Sequence, residues 1–332
     1  MTARRGVGAR RGARHPAVLL SLALTMLDLR GCCCGSGRDD VSSSSSVELR
    51  SALRRGVFVV KVSIGGTEPL DFVLDTGVRG ASYVFGSSGN PPHGLTFRGE
   101  AHLVVGGTTT IRPLAAETVS VQRADGGWLG LGLQHLVLLP ADRESWNAEF
   151  DGVLAASSLT DAVLELDFPR ASVRLQERMP ARRSACRDVR SRIEGGIPYL
   201  NVLLGWSADD TASTIVILDT GNNGGLTVGK GAAEGHETGD LGRTKVGRPL
   251  LGVASASLAA VSFIAIGDCT VHGVQASVLA DSSALSGLVD GQGLIGTRVL
   301  GGFSIWLDYG QERVALVPVA HPRLDPKFPS LR

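Results

Sequence analysis

Only 3 of the 332 residues are methionine, and aromatic residues make up just 5%. Set against 44 glycines, that scarcity argues against a helix bundle and for a β-rich chain with many tight turns. Net charge is also nearly absent. Lys and Arg number 33 against 32 Asp and Glu, so no global field draws the chain to nucleic acid. Cysteine is scarce too: three of the five stand together at 32–34, leaving Cys186 and Cys269 alone in the body, too few for a disulfide scaffold. The seven histidines form no His-Glu-x-x-His pattern and the cysteines no Cys-x-x-Cys pair, so no metal is expected and His135 and His272 read as structural. No strand–helix–strand alternation of a nucleotide-binding fold is present, and no cofactor is expected. What remains, 43% hydrophobic with 20% charged, is a foldable chain long enough for two domains.

The first thirty residues carry the pattern of an export signal. Arg4, Arg5, Arg10, Arg11 and Arg14 precede an apolar run from Ala17 to Leu27, which Asp28 and Arg30 close. That run is shorter than the ~20 residues a membrane-spanning helix needs, which favours a signal peptide over 1–31. Leu29-Arg30-Gly31-Cys32 resembles the lipobox of bacterial lipoproteins, with Leu three places before the cysteine and Gly directly before it. The resemblance implies lipid attachment at Cys32, although Arg30 stands where small or apolar residues are usual. From Cys32 to Ser46 the chain is a polar, Ser-rich tether.

Downstream the chain reads as short strands. Val57–Ile64 and Leu70–Leu74 flank Gly65-Gly66 and predict a hairpin over 57–74. Helical periodicity is confined to two short stretches, 157–163 and 282–289. The chain also repeats itself. Phe72-Val73-Leu74-Asp75-Thr76-Gly77 in the first half matches Ile217-Leu218-Asp219-Thr220-Gly221 in the second. About 0.1 copies of Asp-Thr-Gly are expected by chance at this composition, so two copies, each closing an apolar strand, form a repeat. Further on, Gly152 precedes Asp167 by the same interval that separates Gly293 from Asp308, and each unit ends in a charged turn and a short apolar strand. Two lobes of like topology follow.

These motifs resemble the pepsin-like and retropepsin-like aspartic proteases, above all their single-chain, two-lobed bacterial relatives, over residues 56–318. The resemblance implies an all-β fold of two similar closed β-barrel lobes related by a pseudo-twofold axis, facing each other across a cleft. Its domains are a signal peptide (1–31), anchor and tether (32–46), N-terminal lobe (47–177), linker (178–195), C-terminal lobe (196–320) and tail (321–332). Asp75 and Asp219 match the catalytic dyad, with Thr76, Gly77, Thr220 and Gly221 supporting it. Leu294-Ile295-Gly296 matches the apolar segment that threads beneath such a loop, while Val153-Leu154-Ala155 ends in Ala where Gly is usual. The implied function is peptide-bond hydrolysis by an exported, membrane-anchored monomer acting on peptide or protein substrates.

Two nearby carboxylates cannot both ionise freely, so they share a proton. The ionised one draws a proton from water while its protonated partner hydrogen-bonds the scissile carbonyl. Two positions depart from the family. Val78 and Asn222 follow the triplets, where Ser, Thr or Ala is usual and a hydroxyl can bond the outer carboxylate oxygen. The best flap candidate, His102–Ile111, contains no Tyr or Trp. A catalytically inactive two-barrel lipoprotein that binds peptides is therefore the alternative. Cys186 and Cys269 either bridge the linker to the second lobe or remain buried thiols. Arg182, Arg183, Arg187 and Arg190 read as a solvated linker, with an anionic contact as the other reading.

Overall fold

The computed structural model describes residues 46–318 apart from 80, 87–95, 98–100, 105–107, 116–117, 133, 135, 141–148, 181–184, 188, 237–240, 249–251 and 281–291. The signal peptide, Cys32, the tether up to Ser45, His135, the helix expected at 282–289 and the tail lie outside the described residues. Among the described residues no helix is long and apolar enough to cross a membrane.

The fold is nearly all β and two-lobed, and the strands among the described residues form three sheets. One sheet belongs to the first half of the chain and one to the second. The third joins them, in the order Val47–Leu49, Ser172–Gln176, Val163–Asp167, Phe303–Asp308, Arg313–Pro318. At its centre Val163–Asp167 runs antiparallel to Phe303–Asp308, with Glu165 opposite Trp306. These are the repeated segments seen in the sequence, so a pseudo-twofold axis passes through that pair. The turns that follow are equivalent down to single bonds. Asp167 Oδ1 accepts from the Arg170 amide at 3.1 Å, and Asp308 Oδ1 accepts from the Gln311 amide at 2.9 Å. Each carboxylate also pairs with a guanidinium, Arg170 at 2.6 Å and Arg313 at 3.0 Å.

The repeat extends upstream of what residue identity reveals. Ser51–Arg54 pairs with Val57–Ile64 through the turn Arg55-Gly56 (φ 50° and 83°). Ser191–Glu194 pairs with Ile197–Gly205 through Gly195-Gly196 (φ 58° and 81°) in the same register. Two successive positive-φ residues make the turn whose twist matches antiparallel strands, which glycine adopts without strain. Ser191–Glu194, inside the stretch read as linker, is thus the first strand of the second half's sheet. The hairpin expected over 57–74 is present, closed by Gly65-Gly66 at φ 58° and 79°. In the second half, Ile197–Gly205 also pairs with Gly252–Ile266, which brings that sheet back on itself.

The helix expected over 157–163 does not form. Ala156–Ser158 is one 3₁₀ turn held by Leu159 N–H to Ala156 C=O, and Val163 already begins a strand of the joining sheet. Buried Leu159 and Val163 produced the helical spacing, but pairing across the joining sheet outweighs one turn of local bonds.

One apolar core runs through both halves. A smaller cluster lies on the opposite face of each half's sheet: Val57, Val59, Val73, Val78, Phe85 and Val153 in the first, Ile197, Tyr199, Ile217, Leu279 and Leu294 in the second. The central strands are therefore buried on both faces, which explains their near-continuous apolar runs.

Cys186 and Cys269 are bonded to each other, 83 residues apart in sequence. Beside them, Asp268 accepts from both the backbone amide and Nε of Arg187, each at 2.6 Å, and Cys186 N–H donates to Leu316 C=O. The bridge thus ties the segment between the halves to the hairpin at 266–269. Closing so long a loop restricts the unfolded chain, and replacing both cysteines by Ala is expected to cost about 2–4 kcal/mol of unfolding free energy. Denaturant unfolding of oxidised wild type against the double variant checks this; equal midpoints contradict it.

Candidate active site

Each Asp-Thr-Gly triplet continues a central strand, Leu70–Asp75 in the first half and Thr211–Leu218 in the second. A later segment lies parallel beside each. Ala155 is the partner of Asp75, Ile295 is the partner of Leu218, and Asp219 N–H donates to Ile295 C=O at 3.0 Å. Sequence spacing found these segments through Gly152 and Gly293, and packing explains the glycines. A Cβ on Gly152 would fall 2.3 Å from the Tyr83 carbonyl oxygen, and one on Gly293 would fall 2.5 Å from that of Thr227. A Cβ on Gly296 would meet Gly224 O at 2.4 Å, whereas Ala155 is accommodated and its N–H donates to Ser82 Oγ.

The two triplets interlock. Thr76 N–H donates to Thr220 Oγ1 at 3.1 Å, and Thr220 N–H donates to Thr76 Oγ1 at 3.0 Å. Each hydroxyl then donates to a carbonyl of the opposite strand: Thr76 to Leu218 at 2.5 Å, Thr220 to Leu74 at 2.9 Å. Both threonines are fully buried, and each hydroxyl uses its proton and a lone pair across the interface.

Crossed loops bring each carboxyl group onto the other triplet. A Cβ on Gly77 would lie 2.7 Å from Asp219 Cγ, and one on Gly221 would lie 2.3 Å from Asp75 Oδ2. Gly77 N–H also donates to Asp75 Oδ1 at 2.6 Å. Gly77 therefore touches both carboxyl groups and holds them within about 8 Å of each other by covalent geometry, close enough to couple. Asp219 is buried at 3% exposure, while Asp75 is half-buried.

The residues after the triplets face different tasks. Val78 is buried in the apolar cluster with Val57, Val59 and Val73. Asn222 Oδ1 accepts from Gly224 N–H at 2.8 Å, and its carbonyl accepts from Thr297 N–H. Ala101–Val104 and Thr108–Ala115 form an antiparallel hairpin where the flap was expected, with 105–107 outside the described residues. The one group of His, Cys, Asp and Glu at metal-binding spacing among the described residues is Cys186, Asp268 and Cys269, and its two sulfurs are already bonded to each other.

Sequence reading missed the tyrosines. The chain has three: Tyr83 and Tyr309 feel the charge of Asp75, and Tyr199 is bonded to Arg79, just past the first triplet. Tyr83 lies opposite Val153, itself opposite Val73, so its side chain shares the face that carries Asp75 two residues on. Burial first, and then the Asp75 charge, raises the affinity of the Tyr83 phenol for its proton. Tyr309 is pushed up for the same two reasons, and its buried hydroxyl has no hydrogen-bond partner among the described residues. Tyr199 accepts from Arg79, four residues after Asp75, at 3.3 Å. The rarity of tyrosine was the available signal.

No protein-family model and no curated protein matches the chain. Among solved structures it is similar to an aspartic proteinase from Irpex lacteus, at 15% identity and a TM-score of 0.53, over 85% of this chain and 99% of that one. The shared fold is that of the pepsin-like proteases.

Removing one threonine hydroxyl leaves a buried amide and a buried carbonyl without partners, each costing about 1–3 kcal/mol. Thr76→Val is therefore expected to lower unfolding free energy by about 2–4 kcal/mol, while Thr76→Ser, which keeps the oxygen, loses far less. Denaturant melts of the two variants decide it; equal losses contradict the interlock as a stabilising element.

Proposed function

We propose that the protein is an aspartic endopeptidase whose Asp75 and Asp219 act as one unit on a water molecule. The observation that carries this reading is the reciprocal seating of each carboxyl group on the glycine of the opposite triplet. Two carboxyl groups held that close share one proton. The ionised member takes a proton from the attacking water, and the protonated member hydrogen-bonds the carbonyl oxygen as charge builds there. The tetrahedral intermediate then breaks its C–N bond as a proton passes to the departing amine. Gly77 N–H steadies one oxygen of Asp75, and the threonine exchange fixes the loops so that no reorganisation is needed during the reaction. Peptide binding without hydrolysis is the second reading, favoured by the apolar Val78 and by the turning of Asn222 Oδ1 onto Gly224. With the activity goes a placement at the bacterial cell envelope: export through residues 1–31, lipid attachment at Cys32, and a monomeric body on its tether. Intact-mass measurement of the membrane-purified protein tests that placement; an uncleaved Met1 or a mature chain without acyl mass contradicts it.

Groups that work as a unit are non-additive, so Asp75→Asn, Asp219→Asn and the double change are expected to lose nearly the same activity on a peptide library. The rate is expected to follow a bell in pH, its acidic limb set by the first ionisation of the pair and its basic limb by the second. Val78→Ser adds a hydroxyl that stabilises ionised Asp75, which moves the acidic limb to lower pH. Survival of activity in either single Asn variant contradicts the mechanism, and wild type that binds but never cleaves at any pH transfers the assignment to peptide binding.

A further inference from the structure

Arg190 and Arg192, from the segment between the halves, border a cavity that the proposed chemistry does not use. Strand register decides which face they occupy. Arg192 lies opposite Tyr199, Tyr199 opposite Ile217, and Ile217 two residues before Asp219. Asn201 lies opposite Ile215, and its amide donates to the Arg190 carbonyl at 2.9 Å. Cross-strand partners, and residues two apart on a strand, share a face. The side chains of Arg190, Arg192, Tyr199, Asn201 and Ile215 therefore stand on the face that presents Asp219. They line a cavity of about 370 Å³. Of its lining residues Ile215 is four residues from Asp219, about 13 Å along the strand.

Among the described residues the charge around this cavity is mainly positive. Arg192 lies over the Tyr199 ring at 4.9 Å, and Arg79 donates to the Tyr199 hydroxyl from the other half of the chain. Glu194 approaches Arg192 Nε at 3.4 Å, but both side chains are about half exposed and that pair is screened by water. Among the described residues Arg190 has no ion-pair partner. Among the described residues no carboxylate lines the cavity, while Ser191 and Asn201 add neutral polar groups. Arg79 and Arg192 on Tyr199, with Arg190 on the cavity wall, outnumber the one acid, Glu194, that meets them among the described residues, and guanidinium binds carboxylate with charge-assisted, often bidentate, hydrogen bonds.

We propose that this cavity is a substrate subsite for a carboxylate, an acidic side chain or the C-terminus of a peptide, about four residues from the bond to be cut. It rests on the endopeptidase reading for the word substrate, but not for the binding itself. The test uses the full chain and peptide pairs that differ only in Glu against Gln at each of four positions on either side of the cut. At one outer position the Glu peptide is expected to have a kcat/KM about tenfold higher, as a partly exposed charged contact gives, and the advantage shrinks as salt rises. In Arg190→Gln/Arg192→Gln the Glu-to-Gln ratio falls to near one, and in Arg190→Glu the preference turns toward Lys at that position. The non-cleaving Asp75→Asn/Asp219→Asn variant separates binding from chemistry. Fluorescence anisotropy of labelled Glu and Gln peptides on it reports the same discrimination, and C-terminal acid against amide tells an end carboxylate from a side chain. Arginine-dependent binding of acidic peptides, with no cleavage by wild type, leaves the subsite standing and removes the endopeptidase. Cleavage with equal rates for Glu and Gln at every position removes the subsite and leaves the endopeptidase. A Glu preference that persists in Arg190→Glu overturns the assignment of the cavity.

Discussion

Everything at this site depends on the exchange between Thr76 and Thr220. Four hydrogen bonds cross between loops 144 residues apart in sequence, all in a region that water does not reach. Each bond matters because its loss would orphan a buried group. The exchange draws the two strand ends so close that only glycine fits at the next position, since a methyl group on Gly77 or Gly221 would strike the opposite carboxyl group. The juxtaposition of Asp75 and Asp219 is thus a consequence of threonine chemistry and glycine sterics. The joining sheet carries a like symmetry, with the repeated strands Val163–Asp167 and Phe303–Asp308 paired antiparallel.

Symmetry of the backbone does not extend to the surroundings of the carboxyl groups. Asp75 is half-buried and faces two phenols, Tyr83 and Tyr309, on which its charge acts. Asp219 is buried, and the face leading away from it carries Tyr199 and the arginines. Both halves carry an apolar cluster on this face, but only in the second do arginines border it, at the cavity beside Tyr199. A pair of like groups in unlike environments is how acid and base roles come to be divided.

The sequence carried the centre of the fold clearly and its periphery poorly. Asp-Thr-Gly, Gly152 with Gly293 and Asp167 with Asp308 were legible because sterics and turn bonds at those positions demand particular residue types. The upstream hairpins were not, since Arg55-Gly56 and Gly195-Gly196 share backbone angles rather than identities. The 157–163 stretch misled because Leu159 and Val163 satisfy a helical spacing and a turn-then-strand equally well. The cavity was invisible for a different reason: Arg190 and Arg192 were legible as charge, but no local pattern encodes the strand register that sets them beside Tyr199, Asn201 and Ile215.

The proposed function stands or falls with Asp75 and Asp219 sharing one proton. Calorimetric titration with a peptide isostere that carries a hydroxyl in place of the scissile carbonyl is the sharpest test, because one hydroxyl can hydrogen-bond two adjacent carboxyl groups that share a proton. The account requires one site per chain, an affinity that falls as pH rises through the second ionisation of the pair, and loss of binding in Asp75→Asn and Asp219→Asn alike. Equal binding by wild type and either single Asn variant, across acid to neutral pH, would contradict it.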